Sequence, residues 1–332
     1  MKAIVVDRGG GPEKLVLADV PDPNPGVGEL VVEVAAAGLN FIDTYHRGGL
    51  YPMDFPFTPG LEGAGVVVEV GESAGGFSIG DRVGWTNVIG SYAEKVALPM
   101  DKAIPIPEDV DESTTAAMLL QGITAHYLAT DTYPLTPGDR CLIHAGAGGV
   151  GLLLTQIAKL YGAEVITTVG TDQKAQLSKD AGADHVVVYT RENFKDAIET
   201  AYGPHPFDVV YDGVGAATFD ASLDLLRPRG MMITFGNASG PVPEISPLTL
   251  AQKGSLFLTR PTMTNHLRTR EELLGRANAL FEWIAGGKLE VRIGAEYPLR
   301  QASEAHRALE GRETTGKVLI RPEVRGIRTH RE

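Results

Sequence analysis

Two hydrophobic rhythms divide the chain. Over the first hundred residues the apolar positions fall in short β-branched runs, Leu30-Val31-Val32-Glu33-Val34-Ala35 and Ala64-Gly65-Val66-Val67-Val68-Glu69-Val70, fenced by Gly and Pro. Such runs predict strands. Gly80-Asp81-Arg82-Val83-Gly84 reads as a turn leading into another. The stretch from Pro21 to Gly28, with three prolines and two glycines, is too donor-poor for a central strand.

From about Thr114 the spacing lengthens. Ala116, Ala117, Leu119, Leu120, Ile123, Ala125 and Leu128 mark a helix, and then strands and helices alternate. Strands are expected at 140–144, 164–169, 185–189, 207–212, 231–235 and 255–259, with helices at 149–160, 173–181, 194–201 and 219–226. That alternation is the mark of βαβ units, hence a parallel, doubly wound α/β sheet of Rossmann type. A long helix over 270–285 precedes a β-like tail ending at Lys317-Val318-Leu319-Ile320, which is expected to return to the β-rich part. The expected domains are thus a discontinuous β-rich one, 1–124 with 265–332, and a nucleotide-binding one, 125–264. Residues 321–332 carry four arginines and no core-forming pattern, and read as a frayed tail.

Composition narrows the function classes. With 332 residues, 43% hydrophobic and 22% charged, the chain is globular in character, and its 40 glycines and 21 prolines mark tight turns. A formal net charge of −12 argues against nucleic-acid binding, which needs Lys and Arg on the phosphates. Cys141 is the only cysteine, so neither an internal disulfide nor a thiolate zinc site can form. The charged N-terminus and the absence of a long apolar window point to a cytoplasmic protein.

The strongest single signal is Gly146-x-Gly148-x-x-Gly151, because a short apolar strand precedes it and Val150-Gly151-Leu152 opens a helix. Gly146 is expected to permit the tight turn, and Gly148, with Gly149 and Val150 beside it, to bring backbone against a pyrophosphate. Gly151 is expected to let helix and strand pack closely. The free N–H groups of the helix start face the same anion. An NAD site would carry Asp or Glu at the tip of the next strand. That strand ends Val169-Gly170-Thr171 without one, Asp172 can simply cap the following helix, and Lys174 can attract a 2′-phosphate. NADPH is therefore the expected cofactor.

Several segments in the right order then resemble one family: residues 37–43, Pro59-Gly60-Leu61-Glu62-Gly63-Ala64-Gly65, Gln121-Gly122-Ile123-Thr124-Ala125, the glycine turn, Phe235-Gly236-Asn237, and 254–256 leading to Thr259-Arg260-Pro261. The chain is similar, over about residues 1–322, to the zinc-independent quinone oxidoreductases of zeta-crystallin type within the medium-chain dehydrogenase/reductases. The resemblance implies a GroES-like catalytic domain beside the Rossmann domain. Zinc-containing relatives put cysteine where Asn40 stands and histidine where Leu61 stands, beside a glutamate matching Glu62, so no metal is expected here.

The same resemblance implies that Asn40, Tyr45 and Tyr51 line the slot near the nicotinamide. Gly170, Thr171, Lys174 and Tyr189 would surround the adenosine 2′-phosphate, and Thr124 would face the nicotinamide ribose. Phe235, Asn237, Arg260 and Pro261 would cover the nicotinamide side or the phosphates. His144, at the strand end, reads as a packed, hydrogen-bonded side chain rather than a base. The expected activity is transfer of hydride, or of single electrons, from NADPH to a quinone. An enone or enal reductase is the alternative, and a non-catalytic nucleic-acid-binding role a weaker one. Solvent can supply the proton. A homodimer is implied, through strand addition near 255–259.

Overall fold

The structure, a computed structural model, describes residues 1–323. Contacts group them into two compact units. Unit 1 comprises Met1–Leu120, Leu273–Ala277 and the chain from Val291 onward; unit 2 comprises Gln121–Glu272 and Asn278–Glu290. Residues 121–124, 265–272 and 278–290, expected with the β-rich domain, group with unit 2 instead.

Unit 1 opens with an antiparallel pair, β1 (Lys2–Val5) and β2 (Val16–Asp19). Then come β3 (Glu29–Leu39), helix α1 (Phe41–Gly48), β4 (Glu62–Val70), β5 (Arg82–Thr86), β6 (Lys95–Pro99) and β7 (Ile104–Pro105). Helix α2 (Glu112–Tyr127) carries the boundary between the units. The long strand β3 is the spine of the main sheet, pairing antiparallel with β4 and β6 and with the returning C-terminal strand. The alternation along it buries Leu30, Val32, Val34 and Leu39 against Trp85, Tyr92 and Leu98. Pro21–Gly28 lies outside any strand.

Unit 2 follows the expected alternation closely. Its elements are β8 (Arg140–His144), α3 (Gly149–Leu160), β9 (Glu164–Val169), α4 (Asp172–Asp180), β10 (His185–Val188), α5 (Phe194–Tyr202), β11 (Phe207–Asp212), α6 (Phe219–Leu225) and β12 (Leu226–Thr234). Short helix α7 (Pro247–Gln252), β13 (Phe257–Thr259), α8 (Met263–His266) and α9 (Arg270–Ala285) complete it. The sheet order is β10-β9-β8-β11-β12-β13, all parallel. This order reverses direction between β8 and β11, and a ligand of such a sheet binds at the carboxyl ends flanking that switch. The core beneath is Leu142, Ile166, Val187, Phe207, Val210, Leu223 and Met232.

The C-terminal return to unit 1 consists of β14 (Ile293–Pro298), α10 (Ala302–Glu310) and β15 (Lys317–Arg321). Only its last strand is legible as a core element in the sequence. Arg321, expected in a frayed tail, instead ends β15. It makes a two-point ion pair with Glu296 at 3.0 and 3.1 Å and donates to Ala35 O and Ser113 Oγ. The rest of that tail, 324–332, lies outside the described residues.

Candidate active site

The glycine turn joins β8 to α3 at the switch point. The residue that takes left-handed backbone is Ala145, at φ 55°, so the turn is not what Gly146 makes possible, contrary to expectation. Gly146 is needed for contact: a Cβ there would stand 2.5 Å from Thr167 Cβ and 2.8 Å from Ser178 Oγ. Gly151 is equally tight, its Cβ falling 2.3 Å from Ala145 O, which is the close helix–strand packing expected of it. Gly148 differs. As N-cap of α3 it would bring a Cβ within 3.2 Å of Ala145 O, a tight contact but its only one, so it is far less enclosed than Gly146 or Gly151. Beside it stand the unpaired N–H groups that begin any helix, at Gly149, Val150 and Gly151. Gly149 admits Gln121, whose Oε1 would lie 1.8 Å from an added Cβ. Thr124, three residues further along α2 and therefore on the same face, is buried.

At the tip of β9, Gly170 lies under the Tyr189 ring, its added Cβ 2.8 Å from the phenol oxygen. Thr190 Oγ1 donates to Gly170 O at 2.9 Å. Thr171 is the N-cap of α4, its Oγ1 accepting from Lys174 N at 3.2 Å. Asp172 is thus not the cap: it occupies the first helical position, and its exposed carboxylate pairs with Arg191. Lys174 is half-buried in the first turn, so Gly170, Thr171, Lys174 and Tyr189 share one corner.

At the other end of the sheet, Arg260 follows β13 and donates to Thr234 Oγ1 at 3.1 Å and Gly236 O at 3.0 Å. With its carboxamide turned so that both ends are satisfied, Asn237 accepts from Arg260 Nη2 at 3.1 Å and donates to Gly236 O at 3.0 Å. Phe235 N donates to Asp212 O, and the buried Asp212 carboxylate holds Val214 N, Gly215 N and Thr218 Oγ1. Asp212 escaped sequence reasoning, although a carboxylate closing a buried strand before Gly213 is a readable signal. His144 is buried between Thr168 Oγ1 and Ser222 Oγ, each at 2.8 Å, and burial lowers its pKa. It is a packed side chain.

In unit 1 the expected slot residues separate. Asn40 is 4% exposed, and both amide hydrogens are spent, on Gly38 O at 3.1 Å and Glu62 Oε2 at 2.9 Å. Its Oδ1 accepts from Lys317 Nζ at 2.9 Å, so no donor remains for an acceptor molecule. Lys317 also ion-pairs with Glu62, both fully buried, and Glu62 Oε1 accepts from Leu120 N at 2.7 Å. Burial pulls the Lys317 ammonium below its ordinary pKa while the carboxylate beside it pulls back. Gly38 makes this knot possible, since a Cβ would meet Glu62 Oε2 at 2.4 Å and Lys317 Cε at 2.6 Å.

Asn40 also begins α1 with a capping box shared with Asp43. Asp43 Oδ2 accepts from Asn40 N and from Tyr92 Oη, both at 2.9 Å, and total burial raises its pKa to about 7. Tyr45 and Tyr51 lie on α1 and just beyond it, half-buried, their rings edge-to-face at 5.4 Å. Phe41 and His46 complete this aromatic cluster.

With that geometry in place, comparison identifies the family. The pattern described as "Alcohol dehydrogenase GroES-like domain" matches residues 26–108, and "Zinc-binding dehydrogenase" matches 149–279. A quinone oxidoreductase of Salmonella typhimurium is 44% identical over 317 residues, covering 94% of this chain and 97% of that protein. The chain belongs to the quinone oxidoreductase family of the medium-chain dehydrogenase/reductases. A 2-haloacrylate reductase of Burkholderia is 37% identical, covering 97% and 99% of the two chains. Among solved structures, Escherichia coli quinone oxidoreductase complexed with NADPH superposes with a TM-score of 0.94 at 41% identity, covering 97% of this chain and 100% of that one. A mycobacterial protein complexed with NADPH does so at 0.94 and 47%, with the same coverage.

The zinc named in one of those patterns does not fit this chain. A cation already sits against Glu62 and Asn40, namely the Lys317 ammonium, and Leu61 offers no ligand atom. Among the described residues no group of three His, Cys, Asp or Glu could hold a metal.

Proposed function

We propose that this chain is an NADPH-dependent quinone reductase that works without a metal. The observation that carries the reading is the corner at the tip of β9, where Gly170, Thr171, Lys174 and Tyr189 stand in place of a ribose-binding carboxylate. It is supported by the family, whose relatives are named quinone oxidoreductases and include NADPH complexes. The side-chain-free backbone at Gly148 and the first N–H groups of α3 suit a pyrophosphate, and Lys174 suits a 2′-phosphate.

Bound NADPH supplies the hydride. Tyr45 and Tyr51 offer flat rings to stack against a conjugated acceptor and phenols to donate to the oxygen that gains charge. Asn40 acts at one remove, by starting α1 and hydrogen-bonding both members of the Glu62–Lys317 pair. Phe235, Asn237 and Arg260 form the other wall of the dinucleotide site, and solvent supplies the proton.

Turnover with NADPH of a panel of a 1,4-quinone, an enone and a 2-haloacrylate tests the reading. The quinone is expected to give the highest kcat/KM. The relation to a 2-haloacrylate reductase favours a conjugated carboxylate as the second reading, and a panel led by the haloacrylate would make it the first.

The site of action we infer is the cytoplasm, on the single buried thiol of Cys141 and a reduced cofactor. A homodimer is inferred too. β13 ends the sheet order of unit 2, and Phe257 on it is 57% exposed, so a second copy can extend the sheet. Light scattering that finds a monomer at micromolar concentration removes this inference.

A further inference from the structure

Among the described residues, five buried side-chain polar atoms lack any hydrogen-bond partner: Asp43 Oδ1, His46 Nδ1, Gln121 Oε1, Thr132 Oγ1 and Thr155 Oγ1. Gln121 Oε1 is the one that lies against the glycine turn. It presses on Gly149, the first residue of α3, so closely that a methyl group there would collide with both carboxamide atoms, at 1.8 and 2.5 Å. A folded chain gains nothing from this placement by itself. A buried acceptor left unpaired costs about 1–3 kcal/mol, and a glycine has been spent to admit it. The arrangement makes sense when a ligand brings the missing donor.

The dinucleotide offers few donors there. Pyrophosphate oxygens only accept, whereas the ribose hydroxyls beside them can donate. We propose that Gln121 is a cofactor-binding residue whose Oε1 accepts a hydrogen bond from a hydroxyl of the nicotinamide-side ribose, next to the pyrophosphate at the start of α3. The inference rests on the NADPH reading above. It extends the α2 contribution from Thr124, which shares the helix face, to the residue one turn earlier.

The test uses two ligands and a nearly isosteric apolar variant, Gln121→Met. Purified protein is titrated by fluorescence with NADPH and with adenosine 2′,5′-bisphosphate, which keeps the 2′-phosphate corner but lacks the nicotinamide-side ribose. Thermal unfolding is measured without ligand. The expected result is NADPH binding weakened about tenfold, the value of one lost hydrogen bond with its partner stranded, with bisphosphate binding unchanged. The unliganded variant should melt at the wild-type temperature or above, because an unpaired amide has been removed.

Unchanged NADPH affinity overturns the proposal. So does equal weakening of both ligands, or a variant that melts several degrees lower, since either marks a structural role. Wild-type protein that binds neither ligand overturns the cofactor reading itself, and this inference with it.

Discussion

The corner proposed for the 2′-phosphate is small enough to be argued residue by residue. Thr171 caps α4 and fixes where the first turn begins, and Lys174 rides on that turn, half-buried, beside Gly170 and Tyr189. A lysine that meets a phosphate makes a charge-assisted hydrogen bond worth about 1.5–3 kcal/mol. Lys174→Ala is therefore expected to weaken NADPH binding roughly 10- to 100-fold while leaving NADH almost untouched, read by fluorescence titration of both. A variant that keeps its preference for NADPH moves the selectivity elsewhere, with Arg191 next in line once Asp172 releases it. This corner was legible from the sequence because its residues lie within one strand–turn–helix. Asn40 was singled out from the sequence, but its partners were not. What employs its donors is Glu62 and what employs its acceptor is Lys317, and a pairing 277 residues apart leaves no local pattern.

At the scale of elements, periodicity recovered nearly all of unit 2, because its helices bury apolar stripes on an apolar sheet. It missed α1 and α10 for the same physical reason. The residues α1 buries are Asp43, Thr44 and Arg47, and those of α10 are Ala302, Ala305, His306 and Ala308, so neither carries the stripe a hydrophobic reading looks for. The strand-to-helix turn was recognised by its glycines, yet their duties divide differently than expected. Gly146 is closed in by β9 and α4, whereas a Cβ at Gly148 would meet only Ala145 O, at 3.2 Å. Gly146→Ala should consequently destabilise the fold, by about 1–3 kcal/mol as for other forced overpacking, and lower the melting temperature. Gly148→Ala, whose methyl group would press only on Ala145 O, should lose less stability than Gly146→Ala but bind NADPH more weakly, its methyl group standing where the pyrophosphate is proposed to approach. Melting curves and NADPH titrations of the two variants separate the cases. The reverse pattern would show that the pyrophosphate does not approach at Gly148.

Unit 1 is tied together across the chain by buried polar groups, which join its first hundred residues to its C-terminal return. Arg47 cannot accept a hydrogen bond, so when its Nη1 reaches His306 Nδ1 at 2.9 Å the imidazole must be neutral, with its proton on Nε2. That proton points to Tyr92 Oη at 3.2 Å, leaving the phenol free to donate to Asp43 Oδ2, and Glu310 anchors Arg47 from the far side. Burial, with Arg47 nearby, lowers the His306 pKa to about 3. Burial raises that of Asp43 to about 7, in spite of its hydrogen bonds from Asn40 and Tyr92 and the charge of Lys317, with Glu62 adding to the rise.

The two shifts act on stability in opposite directions. Between the ordinary carboxyl value of 3.8 and about 7 the folded chain keeps a proton on Asp43 that the unfolded chain has lost, so stability falls as pH rises. Between about 3 and 6.5 the unfolded chain protonates His306 and the folded one does not, so stability falls as pH drops. Each slope approaches ~1.4 kcal/mol per pH unit, and where the windows overlap they cancel. Wild type should accordingly draw little pH dependence from this pair between about pH 4 and 6.5. Removing one member exposes the other. His306→Gln, which can still accept from Arg47 and donate to Tyr92, should lose stability steadily from pH 4 to 7. Asp43→Asn should lose it as the pH falls below 6.5. Denaturant unfolding of the three proteins across that range tests the argument, and parallel pH profiles would show that the two groups do not hold the protonation states that close the unit.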